Sequence, residues 1–161
     1  MRILALDVGE VRIGIAVSDE LELGAYPLTT YVRQGSLKRD VAAVAAIIVE
    51  QEADCILVGL PLSIDGGEGK QAQRIRVFGN ALSRAMAMTP LIYRDESLTS
   101  VEAEEQLIAL DYSRAKRRSV LDQWAAKILL DTYLDSRRAA SAPIHSLPAD
   151  AWPSSDVIAE G

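Results

Sequence analysis

Apolar residues are grouped along the chain in short continuous runs and in repeats of helical spacing, and the alternation of the two sets the expected order of elements. Ile3 to Val8 is apolar at every position but Asp7 and reads as a strand buried on both faces. After a turn at Val8-Gly9-Glu10, Ile13, Ile15 and Val17 alternate with Gly14, Ala16 and Ser18, the period of an antiparallel partner. Leu23 to Val32 reads as a third strand, placed near an edge by Pro27. Ser36 can cap a helix in which Val41, Val44, Ala45, Ile48 and Val49 repeat at helical spacing through about Glu52. Cys55 to Leu60 is a second buried strand, followed by a glycine-rich loop from Ser63 to Gly69. A helix over Lys70–Met88, a short strand over Leu91–Arg94 and helices over Thr99–Leu110 and Ser119–Ser136 complete the pattern. The order β-β-β-α-β-α-β-α-α predicts the α/β class, with one mixed five-stranded sheet carrying helices on its faces.

Composition narrows this picture. With 161 residues, 49% hydrophobic and 25% charged, the chain has the make-up of one globular domain, and no disordered or collagen-like chain looks like this. From Ala139 onward Ala, Ser and Pro dominate and periodicity stops. The expected division is therefore a domain over 1–138 and a loosely attached tail over 139–161. No apolar run approaches the roughly 20 residues of a membrane span, and the first residues lack the pattern of a secretory signal, so a cytoplasmic protein is expected. The single cysteine, Cys55, lies in an apolar run and reads as a small buried hydrophobe. His145, the one histidine, lies in the tail between two prolines and reads as a bystander. A net charge of −6 argues at first sight against a nucleic-acid partner. Half of that charge, however, sits in the tail, on Asp150, Asp156 and Glu160.

Four acids stand where a structural role does not account for them. Asp7 interrupts an apolar strand, where an ionised carboxylate is costly unless paired or bound to a metal. Asp95 and Glu96 end another strand, and Asp122 lies among apolar neighbours on a helix. If the two strands are parallel neighbours, Asp7 and Glu96 lie side by side and the helix can bring Asp122 to the same edge. Converging carboxylates suit Mg²⁺ or Mn²⁺, and two such ions can activate water, orient a phosphate and stabilise the leaving oxygen in phosphodiester cleavage. Spacing alone also allows ordinary turn and helix-start acids at 95 and 96 and a solvated Asp122.

The string DVGEVRIGIA from Asp7 to Ala16 resembles both the first hairpin of actin-like ATPases and sugar kinases and that of ribonuclease H-like nucleases. The ATPases need two such domains, and the length leaves room for one. Read with VGLPLSIDG at 58–66, DESLTS at 95–100 and LDQWAAKILLDTYL at 121–134, the string resembles the YqgF (RuvX) family of Holliday-junction-resolvase-like proteins, also described as nucleases of pre-16S rRNA. The resemblance implies a ribonuclease H-like fold and a nuclease acting on structured nucleic acid. The implied substrate is the 5′ end of pre-16S rRNA or branched DNA. It also implies Asp7, Glu96 and Asp122 as catalytic ligands of two Mg²⁺ or Mn²⁺ ions, with Asp95 as a helper. By the same resemblance Gly9, Arg12 and Gly14 match the family's hairpin, where Arg12 would meet a phosphate or pair with an acid. Gly59, Pro61, Asp65 and Gly66 match its second motif, where backbone approaches substrate; Asp65-Gly66 alone also reads as a simple turn.

The family's third motif carries Arg and Thr where this chain has Ser97 and Ser100. Losing that guanidinium motivates a rival reading, a non-catalytic RNA-binding factor in ribosome assembly or transcription. Basic residues cluster ahead of the Asp122 helix at Arg114, Lys116, Arg117 and Arg118, and after the glycine loop at Lys70, Arg74 and Arg76. They can contact phosphates or be a solvated helix start. Trp124 is expected in the core. Resolution of a two-fold symmetric junction would require a homodimer with paired sites.

Overall fold

The computed structural model describes residues 1–62, 66–96 and 99–141. Asp65, Ser97, His145 and the whole segment 142–161 lie outside the described residues, as do the side chains of Ser100 and Arg118. Five strands form one mixed sheet: β1 (Ile3–Val8), β2 (Arg12–Ser18), β3 (Ala25–Val32), β4 (Cys55–Leu60) and β5 (Leu91–Asp95), in the spatial order β3-β2-β1-β4-β5. β1 pairs antiparallel with β2 and parallel with β4, and β4 pairs parallel with β5. The expected mixed sheet is thus observed. β3, with Pro27 in it, is an edge strand, where a missing N–H does no harm.

Strand alternation divides the core in two. Leu4, Leu6, Val8, Ile56, Val58 and Leu60 face α1 (Leu37–Glu50) and α2 (Lys70–Ala85). Ile3, Ala5, Cys55 and Leu57 face the other way, onto Ala126, Leu129, Leu130, Tyr133 and Leu134 of α4 (Arg114–Ser141). α3 (Thr99–Ala109) packs against α4 through Ala103, Ala125 and Ile128. Trp124 joins that contact, its Nε1 donating to Gln106 at 3.0 Å. Cys55 is buried, and burial raises its thiol's pKa, so the thiol is packing material.

Several boundaries differ from expectation, each for a local reason. β3 starts at Ala25 because the Asp19 carboxylate accepts from the N–H groups of Leu21, Leu23 and Gly24 and holds that stretch as a turn. α1 ends at Glu50, and Val49 is exposed; Val41, Val44 and Ile48 are buried and dock the helix, with Ala45 and Ile47 packed beside them. α2 ends at Ala85. α4 is much longer than the periodicity indicated. Ser113 opens it, its Oγ accepting from Lys116 N at 3.2 Å and its carbonyl from Arg117 N at 2.8 Å. The basic run 114–118 therefore forms the first turns of α4 rather than a segment before it. At the other end α4 continues to Ser141, past the expected boundary at 138. Among the described residues no helix is long and apolar enough to cross a membrane.

Candidate active site

The sheet and α4 build the site around one row of positions on the α4 face. Asp7 pairs in register with Gly14 of β2, and Gly14 with Thr30 of β3. On its other side the β1–β4 register runs through Leu6–Val58, which brings Gly59 beside Asp7. Asp7 thus lies between two residues without side chains, and each gap is filled by a group that bears on the chemistry. A Cβ on Gly14 would overlap the backbone carbonyl of Asp122 and lie 2.7 Å from Gln123 N, so α4 crosses β2 here at a distance only glycine allows. A Cβ on Gly59 would overlap the Glu96 carboxylate and lie 2.9 Å from its Cβ.

Gly59 explains how Asp7 and Glu96 meet. The condition considered for that meeting, two neighbouring strands, is not met, because β4 runs between β1 and β5. Glu96 follows the last residue of β5, its N–H donating to Leu60 O at 3.0 Å, and its side chain crosses the bare Gly59 backbone to hydrogen-bond with Asp7. Gly14 and Gly59 are themselves buried, so neither presents backbone to a substrate. They were expected as substrate contacts; the structure makes them spacers that admit Asp122 and Glu96.

Two partly buried carboxylates in contact hold on to protons. Burial raises the Asp7 pKa, the hydrogen bond from Glu96 works against that rise, and the charge of Asp122 adds to it. The Glu96 pKa is pushed up to about 9 by burial first, then by the charge of Asp7, the hydrogen bond to it, and the charge of Asp95. Asp95 itself is exposed at the end of β5, and its charge adds to the rise at Glu96. Asp122 lies beside the pair, and its Oδ2 accepts from Arg12 Nε at 2.8 Å. Of the two roles expected for Arg12, pairing with an acid is the one the geometry displays.

The remaining candidates divide clearly. Gly9 N donates to Arg12 O at 2.8 Å and closes the hairpin; a Cβ there would lie 2.7 Å from that oxygen. Pro61 leaves β4 partly buried, Gly66, at φ +82°, is exposed, and Leu62 and Glu68 form an isolated antiparallel bridge. Arg117, expected to meet phosphate, is instead engaged within the protein. Its Nε donates to Glu104 at 3.1 Å and its Nη1 to Tyr112 O at 2.7 Å, tying α3 to the start of α4. Arg74 pairs with Glu10, and Arg76 pairs with Glu68 while lying over the Tyr93 ring. Lys70 is exposed.

Asp40 escaped the sequence reading. It is 1% exposed and accepts from Tyr31 Oη at 3.0 Å, Arg33 Nε at 2.9 Å and Gln34 N at 2.9 Å. Arg33 in turn donates through Nη1 to Gly9 O at 3.0 Å, so this buried pair braces the hairpin that follows Asp7. An acid in the first turn of a helix is too ordinary a feature to have marked it.

The donor set fits a divalent cation in part. Two touching carboxylates supply hard oxygens, and their mutual repulsion is what a dication relieves. Among the described residues, though, no three potential ligands are grouped to hold one ion together, and Asp122 is engaged by Arg12.

Comparison with known proteins places this arrangement. The family model described as RuvX, Holliday junction resolvase, matches residues 1–136. A protein of Myxococcus xanthus (strain DK1622) named "Putative pre-16S rRNA nuclease" is 42% identical over 153 residues, covering 95% of this chain and 100% of its own length. One of the same name from Syntrophus aciditrophicus (strain SB) is 41% identical over 150 residues, covering 93% and 99%. Among solved structures, Thermus thermophilus RuvC in complex with Holliday junction substrate matches at TM-score 0.56 and 18% identity, over 85% of this chain and 95% of that one. That likeness is one of fold, the ribonuclease H-like arrangement.

Proposed function

This chain belongs to the RuvX family, and from that membership we propose that it is a nuclease that hydrolyses phosphodiester bonds in structured RNA with the help of divalent metal ions. Its most direct task is processing pre-16S rRNA, the substrate in the names of its relatives, and we place that cut at the 5′ end and in the cytoplasm. The observation that carries the reading is the contact between Asp7 and Glu96 across Gly59, with Asp122 held beside them over Gly14.

Asp7 and Glu96 would hold the cation, and Asp122 would complete a second position on leaving Arg12. Mg²⁺ or Mn²⁺, when bound as a pair, supplies the Lewis acid and the activated water of an in-line displacement. The chain's own residues do the placing. Asp7 and Glu96 give up the proton that their contact retains, and the rigid row Gly59-Asp7-Gly14 fixes their separation. Arg12, half exposed at the mouth of the site, offers its guanidinium to the phosphate. The Arg33–Asp40 brace keeps the Gly9 turn, and with it Arg12, in register with Asp7.

The test is cleavage of a pre-16S rRNA 5′ leader set against cleavage of a four-way DNA junction. The expected result is Mn²⁺-dependent cutting of the leader at a rate at least tenfold above that of the junction. Preferential cutting of the junction, by a homodimer with paired sites, would assign the chain to recombination instead. Binding of the leader without cleavage would favour the non-catalytic factor.

A further inference from the structure

Arg12 and Asp122 lie 110 residues apart, and nothing in the fold requires them to touch. Both backbones are fixed. Arg12 is held by the Gly9–Arg12 turn bond and its place in β2, Asp122 by the contact of its carbonyl with Gly14. The two side chains are 53% and 25% exposed, so turning them apart would leave the packed core untouched. Asp122 has a second suitor. Its charge already acts on Asp7, where a cation would be held, and a carboxylate that gives an oxygen to a guanidinium at 2.8 Å is a poorer ligand for that cation. Arg12 has a second suitor as well, because the guanidinium fork matches a phosphate as well as it does a carboxylate. Gln123, the next residue on α4, is occupied with Thr30 at 3.3 Å and does not compete for Asp122.

From this geometry we infer that Arg12 gates Asp122: it holds the carboxylate away from the metal position until a substrate phosphate draws the guanidinium off. The inference rests on the metal-centre reading given above and adds to it an order of events. Phosphate arrival and completion of the ligand set become one exchange of partners, so the fully loaded site forms only over nucleic acid. By linkage, whatever weakens the Arg12–Asp122 pair must strengthen metal binding at Asp122.

The test is Mn²⁺ binding to the full chain without nucleic acid, followed by the electron paramagnetic resonance of the free ion. Wild type, Arg12→Gln, Asp122→Asn and the double variant form a cycle. Arg12→Gln is expected to tighten Mn²⁺ binding by about two- to fivefold, the scale of an exposed ion pair. The same change in the Asp122→Asn background should leave affinity unchanged. In single-turnover cleavage, Arg12→Gln should lower the Mn²⁺ concentration for half-maximal rate by the same factor, while the plateau rate falls about tenfold or more with the phosphate contact gone. Three results would overturn the gate: Mn²⁺ affinity that Arg12→Gln leaves alone or weakens, a gain as large without Asp122 as with it, or an undiminished plateau. A wild-type chain that binds no Mn²⁺ would overturn the metal-centre reading itself, and this inference with it.

Discussion

Glu96 keeps its proton far above the ordinary carboxylate range, with a pKa of about 9, because it is buried against Asp7. The folded chain therefore binds more protons than the unfolded chain between the normal glutamate range and about pH 9. The sign follows directly: the stability that Glu96 contributes to the metal-free protein is fully present below the ordinary carboxylate range and is lost as pH rises toward 9. Thermal melting in a chelator should show Tm decreasing from pH 5 to pH 9. Glu96→Gln, which removes the titration, should flatten that slope and raise Tm at pH 8. Mn²⁺ should raise the wild-type Tm at pH 8 and have little effect on Glu96→Gln. A wild-type Tm that rises over this window would contradict the account. At this scale the sequence was readable where a residue breaks its surroundings. Asp7 stands out as an acid in an apolar strand and Asp122 as an acid among apolar neighbours on a helix, whereas the burial of Asp40 in the first turn of α1 carries no local mark, because long-range contacts decide it.

Elements meet at the site through missing side chains. At Gly14 an added Cβ would run into the backbone of α4, and backbone cannot swing aside as a side chain can. Gly14→Ala should therefore cost about 1–3 kcal/mol by overpacking and shift Asp122, with a drop in cleavage larger than the loss of stability explains. Urea denaturation and a cleavage assay at a temperature where both proteins are folded measure the two effects. A variant as stable and as active as the wild type would refute the close crossing. The glycines were visible in the sequence, but their purpose was not. Hairpin and loop glycines suggest turns and substrate contact, while these two are buried and make room for Asp122 and Glu96. The start of α4 was obscured in the same way. A run of arginines and lysines after Ser113 lacks apolar periodicity, although the serine cap and the Arg117–Glu104 pair make it helix.

For the molecule as a whole, the order of elements was legible because buried strands and amphipathic helices alternate in it. The pairing order was not, since it depends on β4 inserting between β1 and β5. Charge at this scale changes meaning too. Three of the six net negative charges lie beyond Ser141, and within the domain Arg74, Arg76 and Arg117 are spent on internal ion pairs. We propose that the folded unit is complete at Ser141. Deletion of 142–161 should leave Tm within about 2 °C and the cleavage rate within about twofold. A large loss of either would assign the tail a part in the domain.

The central claim is that Asp7 and its two acidic neighbours form a metal-dependent hydrolytic centre. Its most direct test is cleavage of structured RNA by wild type and by Asp7→Asn across a Mg²⁺ or Mn²⁺ titration, with the melting temperature of each protein measured alongside. The account predicts wild-type cleavage that requires the metal, and a rate lowered by about 10²–10³-fold or more in a fully folded Asp7→Asn chain. Metal-independent cleavage, or an Asp7→Asn chain that cuts as fast as the wild type, would contradict it.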